Sequence, residues 1–587
     1  MQNKNLLPSS TKQLALKCLA FLVFVSCYNS LNAATIPVGP GETFTTIQAA
    51  IDDAGTLDGD VIEVQAGTYS ESITVSKEVE IRGPNFGISP NTGSRVAEAI
   101  IVPGATETDV ITITASNVVI DGLTIDGDNT SITTGWIGTN GADIDAFDGV
   151  VYYDTGNTIV VNSLKVRNNI FQNLSFFAVD IFGWDNFNNP STSDHLVDDN
   201  LMRDLGTYQS GGVIDFWGGG VLLYNDNYTR ITNNVMTNVR IGIQTGNFHD
   251  ANPGDVMYQV IDNNTIEARR RGIFYNLHTG GSVEPLTFSN NVITGIDDAN
   301  ETVWDGILAA SLSDATGQIL NNTVDGTGIS NPSEGFEVWN VNPANPVNIQ
   351  GCTASNVDIG IFVNNYEGYN SNAGNTGALI DGAKLTNNVG TGIYVKDSPD
   401  NSNNATVEAE IIGNTDVKTV VTTNVTDRVG IKVEGIDASA NIHDNVSTIS
   451  GNLIGILVDA GDATITNNTI SNNGIGIQFI NNGTGTANMN VIAGNGTFGV
   501  DNQTGTLIDA TQNCWGDPSG PSGEGPGTGD AVSVDVDFSS FITDSTCAKE
   551  VPIPTLSEWG LIILALSFMT LGVLYITEEK NKLQWNS

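Results

Sequence analysis

Basic residues are scarce in this chain. Its 22 Lys and Arg stand against 66 Asp and Glu, a formal net charge of −44. Nearly all of the acidic excess lies between the two ends, and a body that acidic repels phosphate backbones, so nucleic acid is excluded as a partner. Cysteine is also sparse: five residues, two of them near the N-terminus, none with zinc-type spacing. Aromatics make up 7% and charged residues 15%. So low a charge density excludes a disordered polyelectrolyte, and the 40% of hydrophobic residues is enough for a core. Long apolar runs belong to the two ends.

Those ends read as addresses. Lys4, Lys12 and Lys17 precede the apolar run Leu19–Val25, and Asn32-Ala33-Ala34 offers small residues for cleavage, the pattern of a signal peptide over 1–34. The rival reading takes Cys27 as an acylated lipobox cysteine. At the other end, Ile553-Pro554-Thr555-Leu556-Ser557-Glu558-Trp559-Gly560 leads into an apolar run closing at Ile576, followed by Lys580 and Lys582. Residues 559–576 are just long enough to cross a bilayer, with the lysines on the cytoplasmic side. The plain alternative is a permanent tail anchor. The segment 553–587 resembles the IPTL-type sorting domain of bacterial surface proteins. That resemblance implies an exosortase-type transpeptidase as partner, acting at Ile553, Pro554, Thr555, Leu556, Glu558, Trp559 and Gly560. It also implies transient membrane insertion, then release or attachment at the cell surface.

Abundant Gly (65 residues) and frequent Asn mark the body. Ile231-Thr-Asn233-Asn234-Val235-Met236 closes on Gly242-Ile243, and Ile465-Thr-Asn467-Asn468-Thr-Ile470 closes on Gly476-Ile477. Gly-aliphatic pairs also start at 272, 306, 335, 360, 392, 430, 455 and 499, with weaker copies at Gly149, Ala178 and Gly220. A period of this size marks a solenoid with loops inserted at turns. Short alternating aliphatic runs predict strands with one face inward. Asn tolerates the left-handed corner and also stacks as an amide ladder, while Gly at the next corner is expected to supply an unusual backbone angle.

The array resembles the right-handed parallel β-helix of the pectin-lyase-like superfamily. The resemblance is carried by Phe44-Thr-Thr-Ile47-Gln48-Ala-Ala-Ile51-Asp52, Gly59-Asp60-Val61-Ile62, Gly67-Thr68-Tyr69 and the ending Trp515-Gly516-Asp517-Pro518-Ser519-Gly520-Pro521. It implies an all-β, single-stranded right-handed parallel β-helix over 59–546 behind a short capping helix within 35–58; a linker at 547–552 and the transmembrane helix of the sorting tail complete the expected organisation. Ile47, Ala50, Ile51 and Ala54 share one helical face, as a cap requires. Cys514 and Cys547 lie close in sequence, and export permits a disulfide between them.

Chemistry is harder to find. Polygalacturonase-like members of this fold carry Asn-Thr-Asp, Asp-Asp, His-Gly and Arg-x-Lys in order. Asn414-Thr415-Asp416 has no Asp-Asp after it in the body, and His443 precedes Asp444 rather than Gly. The one basic cluster is Arg269-Arg270-Arg271. With His249 and His278 it supplies the acid–base candidates, Arg270 foremost. Trp184, Trp217, Asp215 and Tyr275 are the saccharide-binding candidates. The bland reading pairs the arginines with carboxylates and gives the Trp and His to loop packing. No motif requires a cofactor. Asp126-Gly127-Asp128, Asp143-Ile144-Asp145 and Asp535-Val536-Asp537 offer oxygen ligands to Ca2+, although none forms a helix–loop–helix calcium loop. The expected function is an exported surface or released protein that binds carbohydrate or matrix. The alternatives are a lyase or glycosidase acting on acidic polysaccharide, and a passive structural component.

Overall fold

The computed structural model describes residues 33–544 apart from 139, 155–160, 184–193, 207–208, 211–212, 215–217, 225–227, 247–257, 277–285, 311–316, 366–373, 389, 399–404, 420–427 and 446–448. The sorting motif, the segment 559–576, Cys547, Trp184, Trp217, Asp215, His249 and His278 lie outside the described residues. The chain falls into two compact units, one reaching residue 389 and adding 396–409, the other formed by 390–395 and the chain from 410.

In the first unit each coil lays down up to three short strands. One coil reads Leu286–Ser289, Val292–Gly295 and Trp304–Ala310; the next reads Gly317–Leu320, Thr323–Asp325 and Ser333–Trp339. Each strand pairs in parallel with its counterpart one coil on. Stacking like on like aligns the inward residues in three columns. The first holds Ile231, Ile261, Phe288, Ile319 and Ile349. The second holds Met236, Ile266, Ile293, Val324 and Ala354, and the third Ile243, Ile273, Ile307, Phe336 and Ile361. All fifteen are buried. A single coil has no way to bury these side chains; its neighbours do it. The second unit repeats the plan, with Ile442, Ile465 and Ala487 in one column and Ile431, Ile456, Ile477 and Val500 in another. Among the described residues the sheets are parallel except for two small antiparallel pairs, Trp136–Ile137 with Asp143–Ile144 and Gln209–Ser210 with Val213–Ile214.

The one helix among the described residues is Ile47–Asp52, with Ile47, Ala50 and Ile51 buried. Its first two N–H groups are satisfied from another segment and the third by its own N-cap. Ile47 N and Gln48 N donate to the two carboxylate oxygens of Glu71, at 2.9 and 3.0 Å, and Ala49 N donates to Thr46 Oγ1. No helix among the described residues is long and apolar enough to cross a membrane.

The Asn-Asn pairs divide their labour. The first Asn turns the corner: Asn168, Asn233, Asn263, Asn290 and Asn321 all have φ of 55–58°, the left-handed region that Asn enters most readily after Gly. The second Asn points into the coil and builds a ladder. Asn169 N donates to Asn200 Oδ1, Asn200 N to Asn234, Asn234 N to Asn264, Asn264 N to Asn291 and Asn291 N to Asn322, each at 2.9–3.0 Å. Each Nδ2 also reaches a carbonyl, as Asn264 does with Ile231 O at 2.9 Å. Cys352 takes the next rung, its Sγ 3.3 Å from Ile319 O, and it is a buried free thiol. The second unit has two such ladders: Asn414, Asn445, Asn468, Asn490, Asn513, and Asn452, Asn473, Asn495, ending on Asp530.

The Gly-aliphatic positions correct one expectation. Gly242, Gly272, Gly306 and Gly335 are not among the positive-φ residues, so no unusual backbone angle selects glycine there. Space does. A Cβ on Gly242 would stand 2.4 Å from Gly272 O, and one on Gly272 2.5 Å from Gly306 O. Glycine admits the close approach of one coil to the next.

This division predicts opposite outcomes at adjacent residues. Asn263→Gly leaves stability nearly unchanged, because Gly accepts the left-handed corner. Asn264→Gly or Asn264→Ala strands its buried ladder partners and lowers the unfolding free energy by about 1–3 kcal/mol, read from chemical denaturation of the full chain.

Candidate functional site

The basic cluster flagged in the sequence is a structural network. The Arg269 guanidinium donates to Leu205 O at 2.8 Å and Asn238 O at 3.0 Å. Arg270 pairs with Glu301 at 3.0 Å, and the buried Arg240 pairs with the same carboxylate. Arg271 Nε donates to Asp305 Oδ2 at 2.6 Å, and its guanidinium lies over the Phe274 ring. Burial pushes the Arg269 guanidinium down to about 10 and lowers Arg270 as well. Tyr275 is fully buried with its ring 6.1 Å from that of Phe288, and burial raises its hydroxyl. It fills the core because its strand alternates, and it shares the inward parity of Ile273. Cys514 is disulfide-bonded.

The calcium candidates meet in part. Asp126 accepts from Gln172 Nε2 at 2.6 Å and Asn173 Nδ2 at 2.7 Å, and Asp145 Oδ2 accepts from Asn129 N at 2.9 Å. Burial, then the neighbouring charges of Asp126 and Asp143, raise Asp128. Among the described residues no set of three or more Asp, Glu, His or Cys is arranged to hold a metal ion.

A different set of carboxyls converges on an open pocket of about 320 Å³ lined by Asp109, Phe147, Asp148, Val151, Tyr153, Phe176 and Asp180. Strand pairing builds it. Strand Val150–Asp154 lies parallel to Phe177–Gly183, with Val151 opposite Asp180 and Tyr153 opposite Phe182. Alternation turns Val150 and Tyr152 inward, where they are buried, and leaves Val151 and Tyr153 on the outer face. Tyr153 is 55% exposed, its ring 5.0 Å from that of Phe182. Phe147 and Phe176 meet edge to face at 5.3 Å, with Trp136 5.2 Å from Phe147.

Their surroundings push these carboxyls upward. Asp148 Oδ1 accepts from Phe177 N at 2.8 Å, yet burial, then the charge of Asp109, push its carboxyl up to about 8. Asp180 is raised well above the usual carboxylate range by burial, then by Asp148 and Asp109. Burial also raises Asp109. Asp180 Oδ1 is buried without a hydrogen-bond partner. Carboxyls crowded at low dielectric do not all ionise together, so the pocket holds acids and acceptors side by side.

Asp180 apart, which falls in the loop-rich third with the Trp candidates, none of these residues stands out in the sequence, because the chemistry is spaced by whole coils. A signal was present. Superposing the weak repeat copies on Gly149 and Ala178 puts Phe147 opposite Phe176 and Val151 opposite Asp180, which breaks the pattern with a charge.

The IPTL-CTERM motif matches residues 551–574. A cell surface glycoprotein of Methanothermus fervidus is 25% identical over 362 residues, 55% of this chain and 55% of that relative, so the chain spans about half the length of the curated relative it matches. The catalytic unit of a GH87 α-1,3-glucanase from Streptomyces thermodiastaticus superposes with a TM-score of 0.36 at 12% identity, covering 88% of this chain and 71% of that one. The A-module of the Azotobacter vinelandii mannuronan C-5 epimerase AlgE6 does so at 0.28 and 13%, covering 84% and 93%. The chain is thus an almost all-parallel β-solenoid that carries an IPTL-CTERM motif.

The raised Asp148 predicts a signed pH effect. Its folded pKa of about 8 exceeds the unfolded value of 3.8. Its contribution to stability is therefore complete below the ordinary carboxylate range and lost as pH rises through about 8. Thermal melting of the full chain falls over that window, and Asp148→Asn, which keeps an acceptor for Phe177 N, flattens the fall.

Proposed function

We propose that this chain is an exported, surface-associated β-solenoid that binds saccharide in the pocket of Asp109, Asp148 and Asp180. The observation that carries the reading is the pocket itself: buried hydrogen-bonding carboxyls beside aromatic rings on the outer face of a rigid sheet. Saccharides need both parts, flat apolar contact for the faces of the sugar ring and paired polar groups for its hydroxyls. Regular strands position such a site better than loops do. The solenoid is read as right-handed, the hand that parallel strand connections take, in keeping with the pectin-lyase-like resemblance. Ile47–Asp52 is read as the cap of its first coil.

A second reading rests on one observation. Burial, then the charge of Asp109, push the Asp148 carboxyl up to about 8, and a pair of carboxyls set apart in acidity by their surroundings is the arrangement that glycoside hydrolysis uses. A lyase fits less well, since among the described residues no Lys, Arg or His lines the pocket.

The IPTL-CTERM motif supports export and surface sorting, as does the likeness to a cell surface glycoprotein. The tail is read as a transient membrane anchor, removed near Ile553–Gly560 by an exosortase-type transpeptidase. Mass spectrometry of the cell-associated protein is expected to find a C-terminus within that motif; a chain intact through Ser587 refutes the sorting.

On a glycan array the full chain is expected to bind a subset of saccharides, with Asp180→Asn losing the signal. Release of reducing ends from the bound glycans, lost in Asp148→Asn, decides for hydrolysis. Silence across the array leaves the passive structural role.

A further inference from the structure

We infer that the saccharide bound by the Asp109–Asp148–Asp180 pocket is cationic, an amino sugar whose ammonium group sits among the three carboxyls. This rests on the saccharide-binding reading above and narrows it. Asp180 is 8% exposed, lines the pocket, and carries an Oδ1 with no hydrogen-bond partner. A buried acceptor left unmatched costs about 1–3 kcal/mol, which an incoming N–H donor recovers.

The sign of the missing donor follows from the lining. Among the described residues the titratable groups facing the pocket are Asp109, Asp148, Asp180 and the Tyr153 hydroxyl, with no ammonium or guanidinium among them. Three carboxyls so placed are relieved either by protons or by a cation. Burial raises all three carboxyls, and the neighbouring charges raise Asp148 and Asp180 further, so protons do the work until a cation arrives and displaces them.

The lining also favours an organic cation over a metal ion. Phe147, Phe176 and Tyr153 line the same pocket, and aromatic rings attract ammonium groups. A hard ion such as Ca2+ takes six to eight oxygens, and among the described residues no group of three or more acidic, His or Cys side chains is arranged to hold a metal. An ammonium has three donors to distribute among carboxyl acceptors. At long range, a net charge of −44 draws a polycation toward the molecule.

The test is calorimetric titration of the full chain with oligoglucosamine, its N-acetylated counterpart and CaCl2. It is run at mildly acidic pH, in two buffers of different ionisation enthalpy. Oligoglucosamine is expected to bind with release of protons. The N-acetylated oligomer should bind at least about tenfold more weakly, as should oligoglucosamine to Asp180→Asn and Asp109→Asn; CaCl2 should not compete. Unchanged circular dichroism of the two variants separates lost binding from lost folding. Equal affinity for the acetylated oligomer, binding without proton release, or displacement by Ca2+ overturns the inference and leaves the saccharide reading standing. So does binding of neither oligomer when a neutral glycan from the array binds. If no saccharide binds at all, both fall.

Discussion

The architecture depends on a buried amide finding its partner one coil away. Asn264 is 1% exposed, and an unmatched polar group at that depth costs more than a typical hydrogen bond contributes. Its neighbours must therefore stand at the spacing that lets Asn234 and Asn291 reach it, at 3.0 Å on either side. Aliphatic columns supply most of the driving force for stacking, but they tolerate sliding. The ladder does not, since a slip of one residue exchanges the corner Asn for the ladder Asn. Hydrophobic burial makes the coils stack, and the amides fix which residue lies over which.

Much of this was legible in the chain. The Asn-Asn pairs and the alternating aliphatics pointed to corners, ladders and inward faces, because those features come from chemistry local to one coil. The Gly-aliphatic positions were found correctly and explained wrongly. Gly272 is selected by the carbonyl of Gly306 in the neighbouring coil, and contact between residues 34 apart is invisible in a local window. The site was hidden for the same reason. Asp109, Asp148 and Asp180 come together only after stacking. The conspicuous Arg269-Arg270-Arg271, adjacent in sequence, point to different partners: backbone carbonyls, Glu301 and Asp305.

The two carboxyl-rich regions of the first unit show what decides between structure and chemistry. Asp305 is buried but held by Arg271, and Glu301 is held by Arg240 and Arg270. Their acidity serves the network that fixes those coils. Among the described residues no basic side chain lines the pocket of Asp148 and Asp180, and burial raises both carboxyls instead. Burial is common to both regions; the presence of a guanidinium separates them.

Coil length varies while the ladder does not. Asn468 and Asn490 are 22 residues apart, Asn490 and Asn513 are 23, yet Asn200 and Asn234 are 34 apart and keep the same bond. In the first unit much of the surplus follows the third strand of a coil, as at 247–257 between Val235–Gly246 and Tyr258–Asp262. Each coil thus behaves like a shelf bracket, with a fixed inner fitting and an outer arm of free length. A lineage can lengthen, trim or exchange those arms one coil at a time without renegotiating the interior, so the outward surface is free to diverge quickly while the scaffold beneath it stays the same.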